Sequence, residues 1–279
     1  MKHLLYIIVA FCASFGAAAS EGTAGWQAYL DGDFTRARAE ALAAARSTPS
    51  ADAFALSCQA GLVIGGFFEG NRDAVRSLHQ ALDNCEQALA IDPDHFVAGL
   101  SHAIAIGFEG LRLRKASYAR ASKREIEALI AKYPRNAIAH GALAGWHAAV
   151  AREGWLARLF LGASRARAKS LYAEAFSLPG VEVPLVYEYA RFLADGDGED
   201  QQEARHLIAQ ALDKPAQNSL DALLLGKLQT LQGALAGGEK KQLKTSIQAT
   251  IPFNNIDNWG SPDATKLTAH PLPDRSGAG

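Results

Sequence analysis

The stretch Cys85–His95, "CEQALAIDPDH", packs a thiol, three acidic side chains and an imidazole into eleven residues. It reads either as a compact chemical site or as the end of one helix and the start of another. Pro93 decides between them. Proline cannot continue a helical hydrogen-bond ladder and pushes the residue before it out of the α region. Asp94 and His95 then stand where a new helix starts, and an acidic side chain there caps free N–H groups and opposes the positive end of the dipole. The stretch is therefore a helix junction.

Working outward, Ala88 follows Ala81 by seven residues, close to two helical turns, so both lie on one face. The same spacing recurs at Ala37 and Ala44, Ala168 and Ala175, and Ala204 and Ala211. Each pair sits in a segment that closes on proline: "GDFTRARAEALAAARSTP", "RDAVRSLHQALDNCEQALAIDP", "ASRARAKSLYAEAFSLPG" and "EDQQEARHLIAQALDKP". Apolar helix-like runs such as "ADAFALSCQAGLVIGGFF" and "NAIAHGALAGWHAAVA" lie between them, and no long period-two run of β-branched residues appears. The chain reads as all-α, with helix, turn, helix and proline turn repeated.

The pattern resembles the tetratricopeptide repeat (TPR) family. Gly25, "GDF" at 32–34, Ala37, Ala44 and Pro49 carry the likeness in the first unit, and Ala81, Ala88 and Pro93 in the second. The resemblance implies an α-solenoid of about five helical hairpins with an extended groove. The array is divergent, since "KREIEALIAKYP" is preceded by Ser122 and carries Leu129 where an alanine pair belongs. "GWHAAVAREGWLAR" is more weakly similar to the helical-repeat regulators of microtubule dynamics, and only a fold is borrowed from that.

At the N-terminus, Lys2, an apolar run from Leu4 to Phe15 and small residues at Ala17 and Ala19 have the layout of a signal peptide over 1–19. The expectation is an exported, periplasmic protein, with an uncleaved membrane anchor as the alternative. The repeat array is expected over 20–236. Residues 237–279, rich in Pro, Asn, Asp and Gly from Ile251 on, read as a partly disordered extension. A formal charge of −1 gives no general basis for nucleic-acid binding.

No nucleophile elbow, phosphate-cradling loop or zinc-protease motif is present, so no catalytic residue, metal or cofactor is expected. His95 and His102, like His140 and His147, are seven residues apart, roughly 10 Å along a helix, too far to share one zinc. Ligands scattered over several helices remain the alternative. Cys58 and Cys85 fall at equal heights in one antiparallel hairpin whose turn centres on Gly70–Arg72. In an oxidising compartment they form either a disulfide or two buried thiols. A bridge requires the helices to come closer than their usual 8–10 Å, which neighbouring glycines and alanines favour.

Two surfaces are candidates for partners. By the resemblance, Trp26 and Tyr29 face the peptide groove. In "EGWLARLFLG" at 153–162, Trp155, Leu156, Leu159 and Phe160 share one side of a short helix, as in a partner-binding or interfacial helix. The basic run over 112–124, from Arg112 to Arg124, stands upstream and suits an anionic membrane surface. The function implied is a non-catalytic scaffold for a peptide segment or an envelope protein. The alternative is a small apolar-ligand module like those of periplasmic solute-uptake systems, with Gly61, Gly65 and Gly66 lining a pore.

Overall fold

The computed structural model describes residues 22–256 and 267–272, so the leader read over 1–19 lies outside the described residues. Among the described residues thirteen helices follow one another: α1 Trp26–Asp31, α2 Phe34–Ser47, α3 Ala51–Phe67, α4 Asn71–Ile91, α5 Phe96–Leu113, α6 Ala116–Lys132, α7 Ala137–Arg152, α8 Trp155–Leu161, α9 Arg165–Ser177, α10 Val183–Ala194, α11 Gly198–Leu212, α12 Ser219–Gly237 and α13 Lys240–Thr250. No strand occurs among the described residues. With α8 set aside they pair as successive hairpins, and α12 with α13 extends the array beyond the boundary placed at 236.

The junctions follow from local chemistry. Asp33, Ser50, Asn136, Ser164, Asp197 and Asn218 each accept a backbone N–H of the first helical turn. In the opening stretch α4 ends at Ile91 and His95 caps α5, its Nδ1 accepting from Ala98 N at 3.2 Å. Asp92 ties down the turn by accepting from Asp94 N.

The alanine faces are packing faces. Ala81, Ala88, Ala168, Ala175 and Ala204 are fully buried, while in α2 the buried stripe is Ala37, Ala41 and Ala45, leaving Ala44 half-exposed. Small faces let helices approach, and at α3–α4 the approach is close enough for a crosslink. A Cβ on Gly61 would stand 3.3 Å from the Ala81 Cβ, and the structure joins Cys58 to Cys85 with their Cα atoms 5.4 Å apart. Among the described residues α5 alone is long and apolar enough to cross a membrane, yet 61% of it is buried inside the array.

The array turns back on itself through α12. Ser219 Oγ at its start donates to Leu30 O, and Leu220 and Leu223 pack on the α1–α3 core. Farther along, Leu224, Leu228, Leu231 and Leu235 belong to the core shared with α7, α9, α10 and α11. First and last hairpins are thus bridged.

The extension is docked where it is described, which composition did not show. Tyr187 Oη donates to Thr250 O. Phe253 N donates to Gly66 O at 2.7 Å, and the buried Phe253 ring fills the notch left by Gly65 and Gly66 beside Phe108. Residues 267–272 form a second contact, a strap whose Leu267, Ala269 and Leu272 pack against the α4–α6 core. Isolated apolar residues in a Pro- and Asn-rich segment carry no periodicity, so their partners are visible only in three dimensions.

Candidate functional site

Tyr29 is corrected first. It is 6% exposed, stacks on Trp26 at 5.8 Å and meets Phe34 edge-on at 5.1 Å, so it belongs to the first hairpin's core rather than to a groove surface. Trp26 is half-buried on the same cluster. The start of α12 also packs on this cluster, through Leu220 and Leu223.

The insertion at 153–162 is placed differently. Ala157 and Leu161 of α8 tuck against the core, while Trp155, Leu156, Leu159 and Phe160 are 66%, 50%, 68% and 72% exposed. Gly154 and Gly162, at φ 106° and 66°, allow the sharp entry and exit that set this short helix off from α7 and α9. Trp146 Nε1 donates to Ala119 O, which places the end of α7, and α8 after it, beside the first half of α6. The basic run is there: Arg114, Lys115, Arg120 and Arg124 are exposed, as is Arg158 on α8 itself. Lys123 lies over the Trp146 ring and pairs with Glu127.

Arg112 departs from that surface. It is 4% exposed, and its Nε and Nη2 donate to Glu109 at 2.7 and 2.6 Å. A buried guanidinium needs a carboxylate, and Glu109 one turn earlier supplies it.

This pair opens a polar seam that sequence reasoning missed. His79, Asp83 and Glu86 lie along α4, His102, Glu109 and Arg112 along α5, and Tyr118 and Glu125 on α6. The strap lies over them. Arg112 donates to Leu267 O and Thr268 O, Tyr118 Oη donates to His270 O at 2.6 Å, and His270 N donates to Glu109 Oε1 at 3.0 Å. Burial opposes the charge on Glu109, but Arg112, His79 and the His270 N–H outweigh it and hold the carboxyl down at about 2. Burial likewise opposes charge on His102, and Glu125 and Glu86 outweigh it, raising the imidazole to about 9. The only sequence signal was the 79, 83, 86 spacing on one face of α4, and nothing local joins it to His270.

The other histidines serve locally. His140 Nε2 donates to Pro134 O, while burial beside Lys123 and Arg167 lowers His147 to about 4. The expected pore is not supported by its glycines: Gly61 faces Ala81, and Gly65 and Gly66 face Phe253. A shallow depression of about 320 Å³ at the N-terminal end has a mixed lining that includes Thr23, Ser47, Thr48 and Ser50 beside Ala24, Ala44 and Ala53, and it is an open dip rather than a channel.

Comparison with protein families and with curated proteins finds no match. Among solved structures, a thermophilic TPR protein of Thermus thermophilus superposes with a TM-score of 0.53 at 18% identity, over 73% of this chain and 94% of that one. At that identity the likeness speaks to architecture alone. The chain has the tetratricopeptide-repeat fold, in a divergent all-α form bridged by its own α12 and C-terminal segment.

Proposed function

We propose that this protein is a non-catalytic scaffold, exported to the periplasm, that holds a protein partner on the outer face of its array through α8. The observation that carries the reading is the exposure of four large apolar side chains on one seven-residue helix. Large apolar side chains clustered in water mark an interaction surface more often than chance exposure does. The occupant this surface fits is an apolar segment of another protein flanked by acidic residues, because Arg158 is exposed on α8 itself and α6, which α8 touches, carries the exposed Arg120 and Arg124, with Arg114 and Lys115 just ahead of it. Aromatic and arginine side chains are also the residue types that anchor protein interfaces.

The test pairs the wild-type chain with a Leu156→Asp, Phe160→Asp double variant, which disturbs no buried contact. Envelope proteins captured by the wild type and lost with the variant support the reading. Identical capture by both overturns it. Flotation of the wild type with anionic vesicles, lost in the variant, replaces the protein partner by a lipid surface.

A further inference from the structure

Residues 267–272, LTAHPL, lie against α4, α5 and α6 with no helix or strand of their own, as a bound peptide lies on a receptor. The grip is on the main chain. Arg112 donates to the carbonyls of Leu267 and Thr268 at 3.4 and 3.3 Å, Tyr118 Oη donates to that of His270, and Glu109 accepts the His270 N–H. In the recognition of extended peptides, main-chain bonds supply affinity and side-chain pockets supply specificity.

The seat belongs to the body, and the strap is held more lightly. Glu109, Arg112 and Tyr118 are all buried, and polar groups at that depth favour an occupant that offers carbonyls and an N–H. Leu267, Ala269 and Leu272 are only half-buried, while Thr268 and Pro271 are exposed. Phe253, where the extension first docks, is fully buried. Ten residues, 257–266, separate Ile256 from the strap, so the strap can lift while the Phe253 anchor stays.

The side-chain positions define what else fits. Leu267, Ala269 and Leu272 face the apolar cluster that includes Leu78, Leu82 and Ile106. At the fourth position His270 Nε2 is 3.1 Å from Asp83 Oδ1, with a Glu86 carboxylate oxygen within 4.8 Å. Glu86 is shared with His102, but Asp83 is largely exposed, so this position favours a basic side chain and repels an acidic one.

We propose that α4, α5 and α6 form a seat for an extended segment of a partner protein, apolar at its first and sixth positions, small at its third and basic at its fourth. The strap is the internal occupant that such a segment displaces. The α8 patch takes no part in it.

The probe is a fluorescently labelled LTAHPL peptide, capped at both ends, whose anisotropy is followed on titration with the full chain. In the wild type the strap fills the seat, and the apparent affinity falls with the fraction of seats left open. A Leu267→Asp, Leu272→Asp double variant loosens the strap without touching the seat, and is expected to bind the peptide at least tenfold more tightly than the wild type. Adding Tyr118→Phe, which removes one hydroxyl donor, weakens that binding about fivefold. Aspartate in place of the peptide's histidine weakens it more than tenfold, whereas lysine preserves it. Equal binding by the wild type and the double variant overturns the proposal, as does binding indifferent to Tyr118→Phe and to the aspartate peptide. Hydrogen exchange of the wild type decides the matter even where the double variant does not fold: strap amides that exchange far faster than those of α5 support a displaceable strap, and exchange at the α5 rate overturns it. Dimers that the double variant loses place a second copy's strap in the seat and overturn the assignment to a partner protein.

Discussion

Gly65 has no side chain because Phe253 stands where one would be: a Cβ there would lie 2.8 Å from the Phe253 ring and 3.0 Å from Ala74 O. One residue thus fixes both the α3–α4 approach and the docking of a segment nearly two hundred positions away. Its glycine-rich neighbourhood is visible in the sequence, and its occupant is not. Glu182, the N-cap of α10, shows a second single-residue effect. Burial and then Asp221 raise its carboxyl to about 7, against an ordinary value of 4.5. The folded chain holds it neutral up to about pH 7, whereas the unfolded chain ionises it above about pH 4.5. Stability from this group is therefore complete below pH 4.5 and is lost as pH rises to 7. Glu182→Gln, neutral throughout, is expected to match the wild type at pH 4 and to exceed it by about 1–2 kcal/mol at pH 8, allowing for partial exposure. Urea unfolding at the two pH values measures this, and equal stabilities at pH 8 would refute it.

At the scale of elements, the α3–α4 hairpin is the most tightly tied pair in the array, with Cys58, Ala81 and Cys85 all fully buried. The bridge spans 27 residues of chain, for which the loop-entropy relation gives about 3.5 kcal/mol. Reduction under conditions that open buried disulfides is expected to lower the unfolding free energy by that order, and a melting temperature unchanged by reduction would contradict it. The two cysteines were legible as equal-height neighbours in the sequence. What was not legible was whether the helices come close enough, because that depends on Gly61 meeting Ala81 across the interface. The element α8 shows the reverse case: its apolar side was readable from spacing alone, but only packing shows that Ala157 and Leu161 take the inward face and leave Trp155 and Phe160 outside.

For the whole molecule, closure is the property that changes the reading. The array is bridged by α12, and the segment after α13 returns to α3–α6, so the C-terminal extension is part of the stability of the earlier hairpins. A chain ending at Thr250 loses the Phe253 anchor and the strap, and is expected to fold with a loss of at least about 3–5 kcal/mol, the cost of removing one buried phenylalanine. For a chain of this size that lowers the melting temperature by roughly 6 °C or more. Unchanged melting would show that the extension adds nothing to the core. By itself the sequence determined the helices, their proline junctions, the alanine faces and hence the repeat fold, because these are local and periodic, fixed by backbone sterics and by which face is apolar. Tertiary structure alone decided that Tyr29 is core, that Arg112 is buried with Glu109, and that His270 meets Asp83 across 187 residues. Those outcomes rest on contacts between distant segments, and nothing periodic in either segment encodes its partner.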